Sequence, residues 1–169
     1  ICNTINALGL TDTPTEARSP YEGELLGFHI YRDNDSLIHE TAEAIRALVQ
    51  RGIPLDEIAV LSSHGLSKSK LMSLDRIEDI TTRHFTGQFD KNGAPVWTQG
   101  AVLVDSIYRF KGQSASGIVL AELDFTELGE SVRRKLLVGM TRAEIGLELV
   151  VSLAAEACIS AALNAEVYV

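Results

Sequence analysis

The chain has 169 residues, of which 46% are hydrophobic and 22% charged. This length predicts one domain with a core large enough to need no disulfides, and the composition excludes disordered and collagen-like chains. The net charge of −8 argues against generic coating of nucleic acid, since that depends on neutralising phosphates. No apolar run reaches the ~18–20 residues that a membrane span requires.

The charge is unevenly distributed. Residues 61–112 contain seven basic and five acidic side chains, whereas the segments before and after carry −6 and −4. We therefore expect an anion site in the middle of the chain or at the basic cluster Arg133–Lys135. Cys2 and Cys158 have no metal-ligand spacing, which favours a reduced, cytoplasmic setting. The first residue, Ile1, is not Met, and we expect the chain to be part of a longer protein.

Apolar periodicity and turn residues predict the following elements before residue 75. They are a loop over 11–24, a strand over Leu25–Arg32, a helix over Leu37–Arg51 capped by Asp35 or Ser36, a strand over Ile58–Ser62 and a short helix over 66–74.

The rest of the chain is predicted to alternate in the same way. A hairpin joins Thr81–Phe89 to Ala94–Trp97 through Asn92-Gly93; strands follow at Ala101–Tyr108, Ile118–Leu123 and Leu147–Ser152, and helices at Glu127–Ala143 and Ala154–Asn164. Strands that alternate with helices predict an α/β fold with a mostly parallel sheet covered on both faces.

Several common catalytic signatures are missing. The sequence contains no G-x-x-x-x-G-K-[ST] phosphate loop and no His/Cys metal constellation. The acidic pair Asp56-Glu57 precedes its strand, so we interpret it as solvated charge at the strand entrance. The four histidines are scattered and are expected to be surface residues or satisfied by local partners.

The segment Asp105–Gln113 places polar and cationic residues directly after an apolar strand. Ligands of open α/β sheets bind outside the carboxyl ends of the strands. There Ser106 and backbone amides can bind phosphate oxygens, Tyr108 can stack on a base, and Gly112 permits a close backbone approach. The alternative is an ordinary strand-to-helix loop with solvated Arg and Lys side chains.

The segment Arg133–Ala143 has helical spacing. With the preceding Val132, this spacing places Val132, Leu136, Met140 and Ala143 on one face, and Lys135 with Arg142 nearly opposite. These cations either form a solvated basic face or are offered to a ligand.

Taken together and in this order, the two segments resemble the last two motifs of superfamily 1 helicases of the UvrD/Rep type. S-I-Y-R-F-K-G-Q-S, Ser106–Ser114, resembles motif V, T-[IL]-H-x-x-K-G-L-E, and R-R-K-L-L-V-G-M-T-R-A, Arg133–Ala143, resembles motif VI with its V-A-x-T-R-A signature. The segment Pro54–Leu61 also resembles the strand that opens the second half of these proteins.

The resemblance implies a RecA-like second motor domain over 25–169, preceded by a helix remnant and loop over 1–24. In this family ATP binds between two RecA-like domains, and the first carries the Walker loop and the acids that hold Mg²⁺. The implied partners are therefore ATP, single-stranded DNA and that first domain, while no metal site is expected in this chain. The 169-residue chain alone is expected to be inactive, and its hairpin to replace the inserted subdomain of longer members.

The resemblance also implies residue roles. Arg142 matches the arginine that reaches the γ-phosphate and is the expected catalytic residue, and Thr141 would orient it. Ser106 and Tyr108 match positions that touch single-stranded DNA, and Lys111-Gly112 keep the cation and turn of that motif.

The chain departs from the family pattern at two places. Tyr108 replaces the usual His, which keeps stacking and loses imidazole chemistry. Gln113-Ser114 replace Leu-Glu, whose Glu is associated with the nucleotide sugar, and either residue could partly take that role.

Two other functions remain open from the sequence. One is a non-catalytic DNA- or protein-binding module derived from a helicase half. The other is a Mg²⁺-dependent hydrolase in which Asp105, Glu122 and Asp124 gather at strand ends.

Overall fold

A single mixed sheet organises the chain in the computed structural model, which describes residues 1–16 and 26–165. Its strands are β1 (Gly27–Tyr31), β2 (Ile58–Ser62), β3 (Arg76–Ile77), β4 (Ile80–Phe89), β5 (Pro95–Trp97), β6 (Val102–Ser106), β7 (Ala115–Leu123) and β8 (Ala143–Ser152). The spatial order is β1-β8-β7-β2-β6-β4-β3, with β5 paired to β4. Only the pairings of β3 and β5 with β4 are antiparallel among those described.

Helices cover both faces of this sheet, as the predicted α/β class requires. They are α1 (Cys2–Ala7), α2 (Asn34–Gln50), α3 (Glu130–Met140) and α4 (Leu153–Ala165), and a 3-10 turn covers Leu55–Glu57. The α2 side chains pack in one apolar cluster, and residues of α1, α3 and α4 pack in the other. Within 1–16 and 26–165, no helix is both long and apolar enough to cross a bilayer.

The alternation of side chains along β2 explains why this strand is continuously apolar. Ile58 and Val60 face the α2 cluster, whereas Ala59 and Leu61 face the cluster of α1, α3 and α4. All five β2 residues are buried, as the sequence predicted for a strand covered on both faces.

A bulge in β7 interrupts the same alternation near its carboxyl end. The pairing of β7 with β8 shifts register between Leu120 and Leu123, and Glu122 lies at φ 58°. A bulge re-aims the side chains beside it. Here it leaves the Glu122 carboxylate buried at the edge of the sheet.

The buried Glu122 carboxylate organises the segment after β2. It accepts hydrogen bonds from the hydroxyls of Ser62 and Ser69 and from the Lys70 N–H, the last two at 2.6 Å. The segment forms successive turns held by this carboxylate. The predicted helix over 66–74 is therefore wrong, because these backbone and hydroxyl donors bond to a distant carboxylate instead of to helical carbonyls.

Element ends differ from the sequence-based boundaries. The cap of α2 is Asp33, which accepts from the Ser36 N–H at 2.8 Å in a capping box, and not Asp35 or Ser36. The predicted hairpin is confirmed, with Phe85 opposite Trp97. The helix α3 runs over Glu130–Met140 instead of Glu127–Ala143, and β8 begins at Ala143 instead of Leu147.

The amino-terminal segment packs on the domain core. Ile5 and Leu8 are buried in the cluster shared with α3 and α4. The predicted loop over 11–24 is confirmed as far as residue 16. Its remaining part and Leu25 lie outside the described residues, and the division of the chain at residue 24 stays a prediction.

Glu122→Ala is expected to lower the free energy of unfolding by about 2 kcal/mol or more. The substitution leaves two buried hydroxyls and one N–H without their acceptor, and each unsatisfied buried group costs about 1–3 kcal/mol. Urea denaturation followed by circular dichroism measures the change. The exposed Glu127→Ala is the control and should stay within about 0.5 kcal/mol. Equal stability of the two variants would contradict the organising role of Glu122.

Candidate functional site

The motif V segment crosses the sheet from one edge to the other. Ser106 ends β6 at the carboxyl edge, beside Ser62 of β2. The next strand, β7, is parallel to its neighbours and so begins at the opposite, amino edge. Residues 107–114 therefore connect the two edges. The beginning of motif V lies at the carboxyl edge, and its end lies at the amino edge.

At the carboxyl edge, an exposed tyrosine follows a buried serine. Ser106 is buried, and its hydroxyl accepts the Arg109 N–H at 3.3 Å. The Tyr108 side chain is 61% exposed, with its ring available to a ligand. The intervening Ile107 is buried in the core and fixes this turn.

Asp105 lies beneath this turn. Burial raises the pKa of its carboxyl group, and the Ser106 N–H and the Arg109 guanidinium act in the opposite direction. The Arg109 Nε lies 3.3 Å from the Asp105 Oδ1. The acid therefore serves to hold Arg109, four residues further along the chain.

The crossing segment then turns toward the amino edge. Phe110 is buried in the core, and Lys111 is exposed directly after it. Gly112 has φ 85°, a conformation that favours glycine, and nothing lies within 4 Å of the position that its Cβ would take. Lys111 and Gly112 thus lie on an open surface between the two edges.

The ends of both motifs meet at the amino edge. The Ala115 N–H donates to the Arg142 carbonyl at 3.1 Å, and the Arg142 Nη1 donates to the Gln113 carbonyl at 3.4 Å. The β7–β8 register pairs Ala115 with Ala143, which fixes this juxtaposition. The structure therefore brings together Gln113, Ser114, Thr141 and Arg142, the four residues that the sequence assigned to the nucleotide.

Arg142 lies beyond the end of α3, in the turn before β8. Its Nε donates to the Val138 carbonyl at 3.2 Å, and the Thr141 hydroxyl donates to the Leu137 carbonyl at 2.8 Å. Both side chains thus bond to carbonyls of the last turn of α3, although the Leu137 carbonyl also accepts the Thr141 N–H at 3.1 Å. The prediction that Arg142 lies on a helix face is wrong, because the chain must turn here to enter β8.

Helical spacing predicted that Lys135 and Arg142 lie on the same face, but in the structure the two side chains lie at opposite edges of the sheet. Lys135 lines a small recess with Ser63, His64 and Asp124 at the carboxyl edge, whereas Arg142 lies at the amino edge. Arg133, from the same basic cluster, has a structural role. Its guanidinium donates to the carbonyls of Leu8 and Gly9 at 3.1 and 2.7 Å, next to the end of α1.

An open cleft of about 320 Å³ lies beside the amino-edge residues. Its lining combines Gln113 and Ser114 with the carboxylates of Glu57 and Glu144 and with Arg83. The Ser114 hydroxyl donates to the Glu144 carboxylate. Sequence reasoning missed Glu144, since it is 30 residues from Ser114 and only the pairing of β7 with β8 brings them together.

The carboxylates of the hydrolase alternative are not gathered in one place. Glu122 is bonded to Ser62, Ser69 and Lys70, and Asp105 to Arg109. In the part of the chain that the structure describes, no three His, Cys, Asp or Glu side chains are grouped as metal ligands. Cys2 and Cys158 are both free thiols.

Most histidines have acidic partners, as expected for satisfied residues. His29 lies 2.8 Å from Glu148, His39 2.8 Å from Glu78, and His84 3.0 Å from Asp75. Asp56 and Glu57 are exposed, which confirms that this pair is solvated.

The mostly parallel sheet with helices on both faces defines a RecA-like α/β domain. Residues 101–150 match the model of the UvrD-like helicase C-terminal domain family, and this segment contains both the motif V and the motif VI residues. The crystal structure of the C-terminal domain of a possible DNA helicase from Lactobacillus plantarum WCFS1 has the same fold. It is 13% identical with a TM-score of 0.56, over 77% of this chain and 75% of that chain. No curated protein matches the sequence significantly.

Gly139→Val is expected to destabilise the domain by about 1–3 kcal/mol, the usual cost of overpacking. A Cβ on Gly139 would lie 2.6 Å from Leu120 Cδ2, so either the buried Leu120 side chain must repack or α3 must move away from β7. Thermal melting and urea denaturation measure the loss. Gly65→Val, where a Cβ meets nothing within 4 Å, is the control. Unchanged stability of Gly139→Val would contradict the close packing that places the α3–β8 turn.

Proposed function

We propose that this domain is the second motor domain of an ATP-dependent DNA helicase or translocase. It would complete an ATP site with Arg142 and contact single-stranded DNA around Tyr108. The observation that carries the proposal is the meeting of the ends of motifs V and VI at the amino edge, with the start of motif V at the carboxyl edge.

The donors around Arg142 fit a phosphate group. The guanidinium is half-buried, and its terminal nitrogens make contacts of only 3.4 Å, to the Gln113 carbonyl and the Thr141 hydroxyl. Such long bonds are exchanged at little cost for charge-assisted bonds to phosphate oxygens. A guanidinium there stabilises charge that develops on a transferred phosphoryl group.

The neighbouring cleft fits hydroxyl groups better than phosphates. The Gln113 amide, the Ser114 hydroxyl and the Glu144 carboxylate all line it. Glu144 supplies a carboxylate next to Ser114, where motif V usually has Glu, and can accept hydrogen bonds from sugar hydroxyls. Mg²⁺ would be held by acids of the first motor domain, as in the family that this segment resembles.

The carboxyl edge suits single-stranded DNA. Tyr108 offers a stacking face, and stacking on an aromatic side chain is worth about 1–3 kcal/mol per base. The Lys111 ammonium and the open backbone at Gly112, on the surface between the two edges, are suited to phosphate oxygens. The Ser106 hydroxyl is buried and bonded to the Arg109 N–H, so it supports the turn that presents Tyr108. Both proposed ligands would thus contact the same crossing segment, so closure on a nucleotide at one edge would change the grip on DNA at the other.

The second candidate function is a non-catalytic module that binds DNA or a protein. One observation favours it: the cleft beside Arg142 carries the carboxylates of Asp56, Glu57 and Glu144, which repel a triphosphate. Under this alternative the wild-type protein would bind DNA without DNA-stimulated ATP hydrolysis.

Arg142→Ala is expected to reduce ATP turnover of the full-length protein by orders of magnitude, since arginine fingers contribute about 10³–10⁵ to kcat. Arg142→Lys should rescue poorly because an ammonium lacks the planar fork. Steady-state hydrolysis with saturating single-stranded DNA measures the loss. Thermal melting controls for folding, with a cost of about 1 kcal/mol from the lost bond to Val138. A folded Arg142→Ala protein with near-normal turnover would refute the assignment.

Tyr108→Ala should weaken binding of single-stranded DNA by about 1–3 kcal/mol if a base stacks on the ring. Tyr108→Phe keeps the ring and is the matched control. Fluorescence anisotropy at constant salt measures the affinity, because the phosphate contribution otherwise dominates. Equal affinities of wild type and Tyr108→Ala would exclude stacking at this position.

A further inference from the structure

Three aromatic side chains form a cluster on the β4–β5 hairpin. The Phe85 ring lies 5.4 Å from that of Phe89, edge to face, and 6.0 Å from that of Trp97. Phe85 is buried beneath the other two, whereas Phe89 is 64% exposed. The exposed Phe89 ring therefore rests on the buried Phe85 ring, which Trp97 contacts in turn.

A bulge produces this arrangement. In a regular strand, residues 85 and 89 would be separated by roughly 13 Å at 3.3 Å per residue. The β4–β5 pairing shifts register between Phe85 and Phe89, and Gly87 between them has φ 82°. The backbone bends at Gly87 and brings the two rings into contact.

The aromatic cluster is attached to the motif V segment through Arg109. The Arg109 guanidinium carbon lies 4.0 Å from the centroid of the Phe85 ring and 5.5 Å from that of Trp97. Its other side contacts Asp105. Cation–π contacts of this kind are attractive, so the residue next to Tyr108 holds the hairpin beside the carboxyl edge.

The charge of this region differs from that of the whole chain. Residues 80–112 carry four basic and two acidic side chains, whereas the chain has a net charge of −8. Lys91 at the hairpin tip and Lys111 in the crossing segment are both exposed cations. Exposed aromatic rings among cations are the combination that binds single strands without sequence preference.

We propose that the β4–β5 hairpin continues the single-strand-binding surface from Tyr108, and that Phe89 is a second stacking residue with Arg109 as the positioning residue between them. This inference rests on the proposed DNA contact of the carboxyl edge. The ligand of this surface is single-stranded nucleic acid, because the local positive charge complements phosphates and the exposed Phe89 ring complements a base.

The test is binding of fluorescein-labelled oligothymidylate to the full-length protein at constant salt, read by anisotropy. Phe89→Ala is expected to weaken binding by about 5-fold or more, the lower limit for one stacked base. Phe89→Leu, which keeps apolar bulk without a π face, should weaken it similarly, and Phe89→Trp should restore it. Ile145→Ala is the control, since Ile145 is a 54% exposed apolar residue at the other edge and its loss should change nothing.

Trp97 provides an independent readout, because it is the one tryptophan in the sequence. A strand bound across the hairpin should quench Trp97 emission with the same midpoint as the anisotropy change. Phe89→Ala should shift that midpoint, and Arg109→Ala should reduce the quenching amplitude by releasing the hairpin. Arg109→Lys, which keeps the cation, should restore part of it.

Each outcome bears on a distinct claim. Oligonucleotide binding that depends on Tyr108 but is unchanged in Phe89→Ala and Phe89→Leu overturns the hairpin proposal and leaves the proposed function intact. If the wild type self-associates and Phe89→Ala abolishes this while oligonucleotide binding is unchanged, the patch belongs to a second copy and the hairpin proposal is also overturned. No measurable oligonucleotide binding by the folded wild type overturns the DNA contact of the proposed function and the hairpin proposal with it.

Discussion

The connection from β6 to the parallel strand β7 is the constraint on which the site depends. Consecutive parallel strands require a chain that crosses from the carboxyl edge to the amino edge. Residues 107–114 make this crossing, anchored in the core by Ile107 and Phe110. Because these two apolar residues are buried, the remaining side chains of the segment are exposed. One short stretch thus combines structural anchors with groups available to ligands at both edges.

The return from β7 to β8 imposes a matching constraint on the motif VI segment. The helix α3 brings the chain back to the amino edge and lies close to β7 at Gly139, where a side chain would collide with Leu120. Its last carbonyls are bonded by Thr141 and Arg142. The same residues that end the helix therefore also face the crossing segment, which accounts for the compact Thr-Arg sequence at this turn.

Two irregular positions shape the carboxyl edge. The bulge at Glu122 buries a carboxylate that organises the turns after β2, and the bend at Gly87 brings Phe89 edge to face against Phe85. Neither residue belongs to a recognisable motif. In both cases a shift of register re-aims a side chain that a regular strand would place elsewhere, and the fold uses that shift to build a surface next to Ser106 and Tyr108.

The sequence alone determined the fold class, the confirmed strand at Ile58–Ser62, the hairpin and the family resemblance of Ser106–Ser114 and Arg133–Ala143, both of which lie within the matched residues 101–150. These follow from local signals: continuous apolar runs, the Asn92-Gly93 turn and residue order within motifs. The tertiary structure decided the rest. The turns at 66–74, the end of α3 before Arg142, and the contact of Ser114 with Glu144 all depend on partners distant in sequence. Periodicity reports only which face of an element is apolar, whereas strand register and bulges, set by packing across the sheet, determine which residues meet.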